Sequence, residues 1–199
     1  MDKPKGNIMI ELWHGGARWE GGPEVQPPKP ERYEAGPGIY LTTRYLRAKD
    51  YSRGSKVTTL VTLREEMRWL EQAKLPLAKI EAYVRDTPRF PKRERMLASL
   101  SRYGDEYGRE AFPVSVFVNM CVNNRILAGK QGVLLTQWLT EQGIDASLYD
   151  KGCGEQWVIV FNPAAIRRHK VVSATHVSLE QYDLPLIKMT KPEAAHVCQ

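Results

Sequence analysis

Three side chains within the first fifty-one residues stand at spacings that suit chemistry on a flat ring joined to a sugar. His14 closes the apolar segment IMIELW and is followed at once by Gly15-Gly16, so its imidazole stands where backbone can approach a ligand closely. Gly36-Pro37-Gly38 opens a second apolar segment that presents Tyr40. Tyr51 follows eleven residues later, about three helical turns if the intervening chain is helical. Two tyrosines brought together in this way can sandwich a flat ring while the histidine bonds a sugar hydroxyl, an arrangement that suits nicotinamide riboside. Each element alone has a plainer explanation: an exposed histidine, a turn, core tyrosines. Their joint occurrence in this order carries the argument.

LWHG at 12–15, GPGIYLTT at 36–43 and AKDY at 48–51 together resemble the NAD site of the ADP-ribosyltransferase superfamily, in the His-Tyr-Glu branch that includes the poly(ADP-ribose) polymerases. The likeness covers residues 10–51 well and about 144–173 loosely, and it leaves out the middle of the chain. It implies that His14 bonds the adenine-side ribose, that the Gly15 backbone holds the nicotinamide carboxamide, and that Tyr40 and Tyr51 flank the nicotinamide ring. The family often has a serine three residues before the second tyrosine, and here that position is Ala48. The missing hydrogen bond is worth about 0.5–1.5 kcal/mol, and Thr42 or Thr43 is the expected compensation.

Breaking the glycosidic bond of NAD passes through an oxocarbenium-like state that a carboxylate near the ribose 2′-hydroxyl stabilises. By the resemblance, a glutamate opening a late strand supplies it. Aligning the late segment EQWVIVFNP on its Asn-Pro end puts Trp157 at that position. Glu155 lies two residues upstream on the same face of a regular strand, and a bulge or shorter lead-in would bring it into register. Asp150, beyond the flexible Lys151–Gly154 turn, is the alternative acid. The expected catalytic set is therefore His14, Tyr40 and Glu155. The expected NAD contacts are His14, Gly15, Tyr40, Thr42 and Tyr51, with no metal.

The elements that must hold these residues read as strands, then helices, then strands. Ile8–Trp13, Ile39–Thr42 and Lys56–Leu63 are strand-like, and Tyr45–Tyr51 is compatible with a helix. Residues 64–142 read as helical pieces: REEMRWLEQAK, LAKIEAYVRD, KRERMLASLSRY, VSVFVNMCVNNRILAG and GVLLTQWLTEQG, with Gly129 and Gly143 as C-terminal caps. IDASLYD, EQWVIVFN and HKVVSATHV then return to strand. The fold class expected is α+β, an ADP-ribosyltransferase-like split β-sheet core with a helical insertion at about 64–142. One domain spans 1–177. Residues 178–199 form a polar C-terminal tail that either docks on a partner or is disordered.

A length of 199 residues, 42% hydrophobic and 26% charged content and a mean hydropathy of −0.45 fit an ordinary globular chain. The first residues lack an apolar stretch long enough for a signal peptide, and the apolar run VSVFVNMCV is too short for a bilayer. Cys121, Cys153 and Cys198 are odd in number and widely spaced, which argues against a disulfide framework and fits a reducing cytoplasm. His169, His176 and His196 have no metal-ligand spacing, and no Walker loop or Rossmann fingerprint is present.

The net charge of +6 and a pI near 9.2 favour a polyanionic partner. Arg85, Arg89, Lys92, Arg93, Arg95 and Arg102 face only Asp86 and Glu94 in their stretch, with Tyr83, Phe90 and Tyr103 nearby to stack bases. Arg167-Arg168-His169-Lys170 is a second, shorter basic cluster. The expected activity is NAD-dependent mono-ADP-ribosyl transfer, of the kind found in bacterial or phage toxins and effectors. RNA or DNA is favoured over protein as acceptor, and a neutralising partner protein is a further expected contact. Two alternatives stand beside it: an NAD-dependent nucleic-acid 2′-phosphotransferase on the same scaffold, and a non-enzymatic module that retains the pocket.

Overall fold

In the central strands both faces are apolar, so the sheet they form is covered on both sides. The computed structural model describes residues 9–16, 18–30, 33–52, 57–173 and 183–189. Its strands are β1 (Glu11–Gly15), β2 (Ile39–Thr42), β3 (Val57–Leu63), β4 (Lys74–Leu75), β5 (Phe112–Pro113), β6 (Ala146–Gly152), β7 (Glu155–Val160) and β8 (Ile166–Ser173). Its helices are α1 (Tyr45–Tyr51), α2 (Leu77–Asp86), α3 (Arg93–Tyr107), α4 (Val114–Asn123) and α5 (Lys130–Glu141). Six strands form one antiparallel sheet in the order β6-β7-β2-β1-β3-β8, and β4 pairs with β5 separately. The architecture is α+β.

Strand register sorts the side chains. Trp13 pairs with Thr42 and Leu60, and Thr42 with Trp157, so these residues and Tyr40 share one face. Leu12, Ile39, Leu41, Val61, Val158 and Val160 pack together on the other. The first face carries the helices. Leu77, Ile80 and Val84 form the buried stripe of α2, and they join Met96, Leu100, Phe117 and Leu139 in a core that also takes in Trp157, Ile159 and Phe161. On the same face α1 covers Trp13 with Tyr45 and Ala48.

The two β-rich halves meet in one sheet rather than in two separate ones, because β2 pairs on both edges. The join is narrow: β1 and β2 are in register only at Trp13 and Thr42, whereas β1 and β3 pair from Glu11 to Gly15. A seam therefore runs down the middle of the sheet.

Several expected elements differ in the structure. Arg64–Lys74 is not a helix despite its helix-favouring composition. The backbone NH of Arg68 donates to Asp145 Oδ2 at 2.9 Å and its carbonyl accepts from the Asp145 NH at 2.9 Å, and Trp69 bridges in parallel to Ala146. These tertiary bonds hold the segment out of a helix, with a bend at Glu65–Glu66 and a single 3-10 turn at Leu70–Gln72. The fourth helix ends at Asn123, not near Gly129. Gly129 instead precedes α5 as its N-cap, with its NH donating to Pro28 O at 2.8 Å. Gly143 does follow α5, at φ 75°. The last strand begins at Ile166, and 174–177 lie outside the described residues. Of the tail, 183–189 lie against the domain itself: Leu184 NH donates to Thr43 O at 2.8 Å, and Ile187 NH to Gln156 Oε1 at 2.7 Å. None of the helices among the described residues is long and apolar enough to cross a membrane.

Candidate functional site

The seam opens into a cleft of about 800 Å³ whose walls include Gly15, Tyr40, Thr42, Ala48, Tyr51 and Trp157. Gly15 is there for a steric reason: a Cβ at this position would stand 1.8 Å from the Ala48 carbonyl oxygen, so only glycine lets α1 lie directly on the end of β1. That close approach brings Ala48 and Tyr51 over the sheet. Tyr51 is 63% exposed on the cleft rim. Tyr40 on the floor is half-buried, and its hydroxyl donates to Gly36 O at 2.6 Å. Burial pushes its phenol well above the ordinary range, with the nearby backbone NH of Ala35 opposing, so Tyr40 is a neutral aromatic surface.

His14 lines a neighbouring cleft of about 720 Å³ that meets the first at Tyr40. Its Nδ1 lies 3.0 Å from the Tyr40 carbonyl oxygen. A carbonyl only accepts, so Nδ1 carries the proton and Nε2 is left as an acceptor. Gly16 keeps that atom open, since a Cβ there would sit 2.9 Å from Nε2. The imidazole stacks on Trp19 at 4.5 Å between centroids and 22° between planes. Burial lowers the His14 pKa, partly offset by the bond to Tyr40, and keeps the ring neutral at pH 7.

Glu155 and Trp157 share the floor's face, and neither β7 nor β2 bulges there. The irregularity lies on the neighbouring strand, between Asp150 and Gly152. The Glu155 carboxylate is 6% exposed and sits behind the cleft wall. Its Oε1 accepts from Trp157 Nε1 at 2.6 Å, from Arg47 Nε at 3.2 Å and from Thr42 Oγ1 at 3.3 Å. Burial opposes ionisation of this group, but the hydrogen bonds from Trp157 and Arg47 and the charge of Arg47 outweigh it and hold the pKa below the ordinary value. All three donors line the cleft. Asp150 pairs with Gln156 and so takes the opposite face from Trp157, where its Oδ1 accepts the Gly152 NH at 2.8 Å.

Neither threonine is free to replace the missing serine. Thr42 Oγ1 donates to Glu155 and accepts from the Arg44 NH at 3.1 Å, while Thr43 is fully buried and accepts from the Gln156 NH at 3.0 Å.

Sequence reasoning passed over Arg47, Glu34 and Asp50, which also line the cleft, and Trp19 beside His14. A signal existed for Arg47. In YLRAKDY, Arg47 and Tyr51 are four apart and therefore on one helical face. Glu34 and Trp19 come from loops that carry no periodicity to read.

The basic stretch is broken into two helices. Arg93 caps the first, donating to Val84 O at 3.1 Å and Thr87 O at 2.7 Å. Arg85 pairs with Glu81 at 2.8 Å, and Lys92 donates to Asn124 O at 2.8 Å. Arg89 and Arg95 are exposed. Two of the three aromatic partners are withdrawn into the core: Phe90 is 7% exposed, and Tyr83 packs on Phe90, Phe117 and Trp138, whereas Tyr103 is half-buried with the guanidinium of exposed Arg102 5.4 Å from its ring centroid.

In comparisons with protein-family models, with curated proteins and with solved structures, nothing matches this chain.

Proposed function

We propose that the chain is an NAD-dependent mono-ADP-ribosyltransferase with an ADP-ribosyltransferase-type fold, acting in the cytoplasm. The observation that carries this reading is the pair of clefts joined at Tyr40, one walled by Gly15, Tyr40, Ala48 and Tyr51 and the other by His14 and Trp19. A dinucleotide has two halves, and the two clefts offer them different chemistry. The first has aromatic walls for a flat ring and the Gly15 backbone for its carboxamide. The second has a neutral imidazole with an open acceptor for a ribose hydroxyl. The short β1–β2 pairing, in register only at Trp13 and Thr42 within the single six-stranded sheet, supports reading its two halves as the parts of such a core. In this reading Glu155, ionised at neutral pH, is the carboxylate that stabilises the oxocarbenium, and an anionic group of the substrate draws Arg47 from it.

The arrangement of Glu155 favours one alternative specifically. A carboxylate already engaged by three donors suits a scaffold that uses NAD without an acid, as a 2′-phosphotransferase would. Mass spectrometry of cellular RNA, DNA and protein after expression separates the two. ADP-ribose adducts on any of them support transfer, and NAD-dependent loss of a 2′-phosphate supports the alternative. Neither change, with folded protein present, leaves a binding module.

A further inference from the structure

A cavity of about 1060 Å³, which shares no lining residue with the NAD-type clefts, is lined by Arg64, Arg68, Arg167 and Arg168. Three local features place these arginines.

Asp145, 1% exposed, accepts from the Arg64 guanidinium, from the Arg68 NH and from Asn162 Nδ2, so a buried carboxylate fixes one arginine and the backbone of a second. Gly143 makes room for the Arg68 head, since a Cβ there would stand 2.7 Å from its Nη1. On the facing strand Thr62 pairs with Arg168 and Leu63 with Ile166, which leaves Arg167 as the extra residue of a bulge. Consecutive residues of a regular strand face opposite ways, whereas here Arg167 and Arg168 both line the cavity.

The Arg64 Nε is buried and has no hydrogen-bond partner among the described residues. Guanidinium forks held in place match phosphate oxygens. Asp145 is matched by Arg64, and Glu65 and Glu66 are the other carboxylates on the lining. The net charge is therefore small, and recognition by this cavity depends on the placement of forks rather than on a diffuse positive field.

We infer that this arginine-lined cavity is a second binding site, separate from the NAD-type clefts, for the phosphate groups of a nucleotide or nucleic acid. Its volume suits a nucleotide-sized group.

The test is fluorescence anisotropy with a short labelled single-stranded RNA at low salt, competed by ATP and by pyrophosphate. The proteins are the wild type, Arg68→Gln/Arg168→Gln and, as a control, Lys79→Gln, an exposed residue on α2 outside both the cavity and the basic stretch. The double variant should bind about tenfold or more weakly and with a shallower salt dependence, while the control binds like wild type. Competition by ATP equal to that by unlabelled RNA identifies a free nucleotide as the source of the phosphates, and RNA much tighter than ATP identifies a strand. Should the double variant not fold, Arg168→Gln alone, on an exposed edge strand, gives the same reading. Unchanged affinity in folded variants overturns the inference, as does failure of RNA, ATP and pyrophosphate alike to bind the wild type.

Discussion

Replacing Glu155 by Gln should cost stability as well as activity, and the stability cost should depend on pH in one direction. The carboxylate is buried, and its strongest contact is the 2.6 Å bond from Trp157 Nε1. Hydrogen bonds to a charged group contribute about 1.5–3 kcal/mol. The Arg47 contact adds little, because that side chain is 44% exposed and solvent screens it. A glutamine retains an oxygen for the indole NH but loses the charge and sets an amide NH2 towards other donors. The expected loss is about 2 kcal/mol near pH 7.

The folded-state pKa of Glu155 lies below its ordinary 4.5, so the unfolded chain takes up the proton first as pH falls. The stabilisation is complete above pH 4.5 and is lost as pH drops through the folded value. Urea unfolding of wild type and variant at about pH 7 and about pH 3.5 should thus show a difference that shrinks on acidification. Equal stability near neutrality, or a gap that widens in acid, would refute the reasoning. In single-turnover nicotinamide release at saturating NAD, the same variant should be slower by about two to three orders of magnitude, with little change in NAD affinity. Asp150→Asn, on the other face, should be near wild type.

Tyr51→Ala removes an exposed ring from the rim and should weaken NAD binding by about 1–3 kcal/mol at unchanged melting temperature, read by calorimetry. Unchanged affinity would take Tyr51 out of the site. His14 has a lowered pKa, so its neutral form predominates above the ordinary 6.5 and the folded state resists protonation below it. NAD affinity and stability should both fall as pH drops below 6.5, and His14→Gln should remove that dependence. A pH profile identical in the variant would show another group to be responsible. Arg93→Ala uncovers two carbonyls at the end of α2 and should destabilise by about 1–2 kcal/mol, while Arg95→Ala should be near neutral. Chemical denaturation of both variants checks this, and equal effects would contradict the capping role.

The site was more legible in the sequence than the frame around it. His14, Tyr40 and Tyr51 are found by local spacing, and local structure keeps it: β2 at Ile39–Thr42, α1 at Tyr45–Tyr51 and α2 at Leu77–Asp86 have the expected bounds. What failed depends on partners far along the chain. Arg64–Lys74 has helical composition, but Asp145 takes its backbone bonds some eighty residues later. Phe90 lies among basic residues as a surface stacker would, yet it is buried against Tyr83, whose other contacts include Trp138. Thr42 and Thr43 were plausible donors until the strand pairing of β2 with β7 engaged both hydroxyls. The side of the sheet taken by Asp150 is likewise a matter of register, which a one-residue shift would reverse.

Calorimetric titration of NAD into the purified protein, alongside folded Tyr51→Ala, tests the central claim most directly. The account predicts saturable one-site binding by the wild type and markedly weaker binding by the variant. A folded wild-type protein that takes up no NAD at millimolar concentration would contradict it.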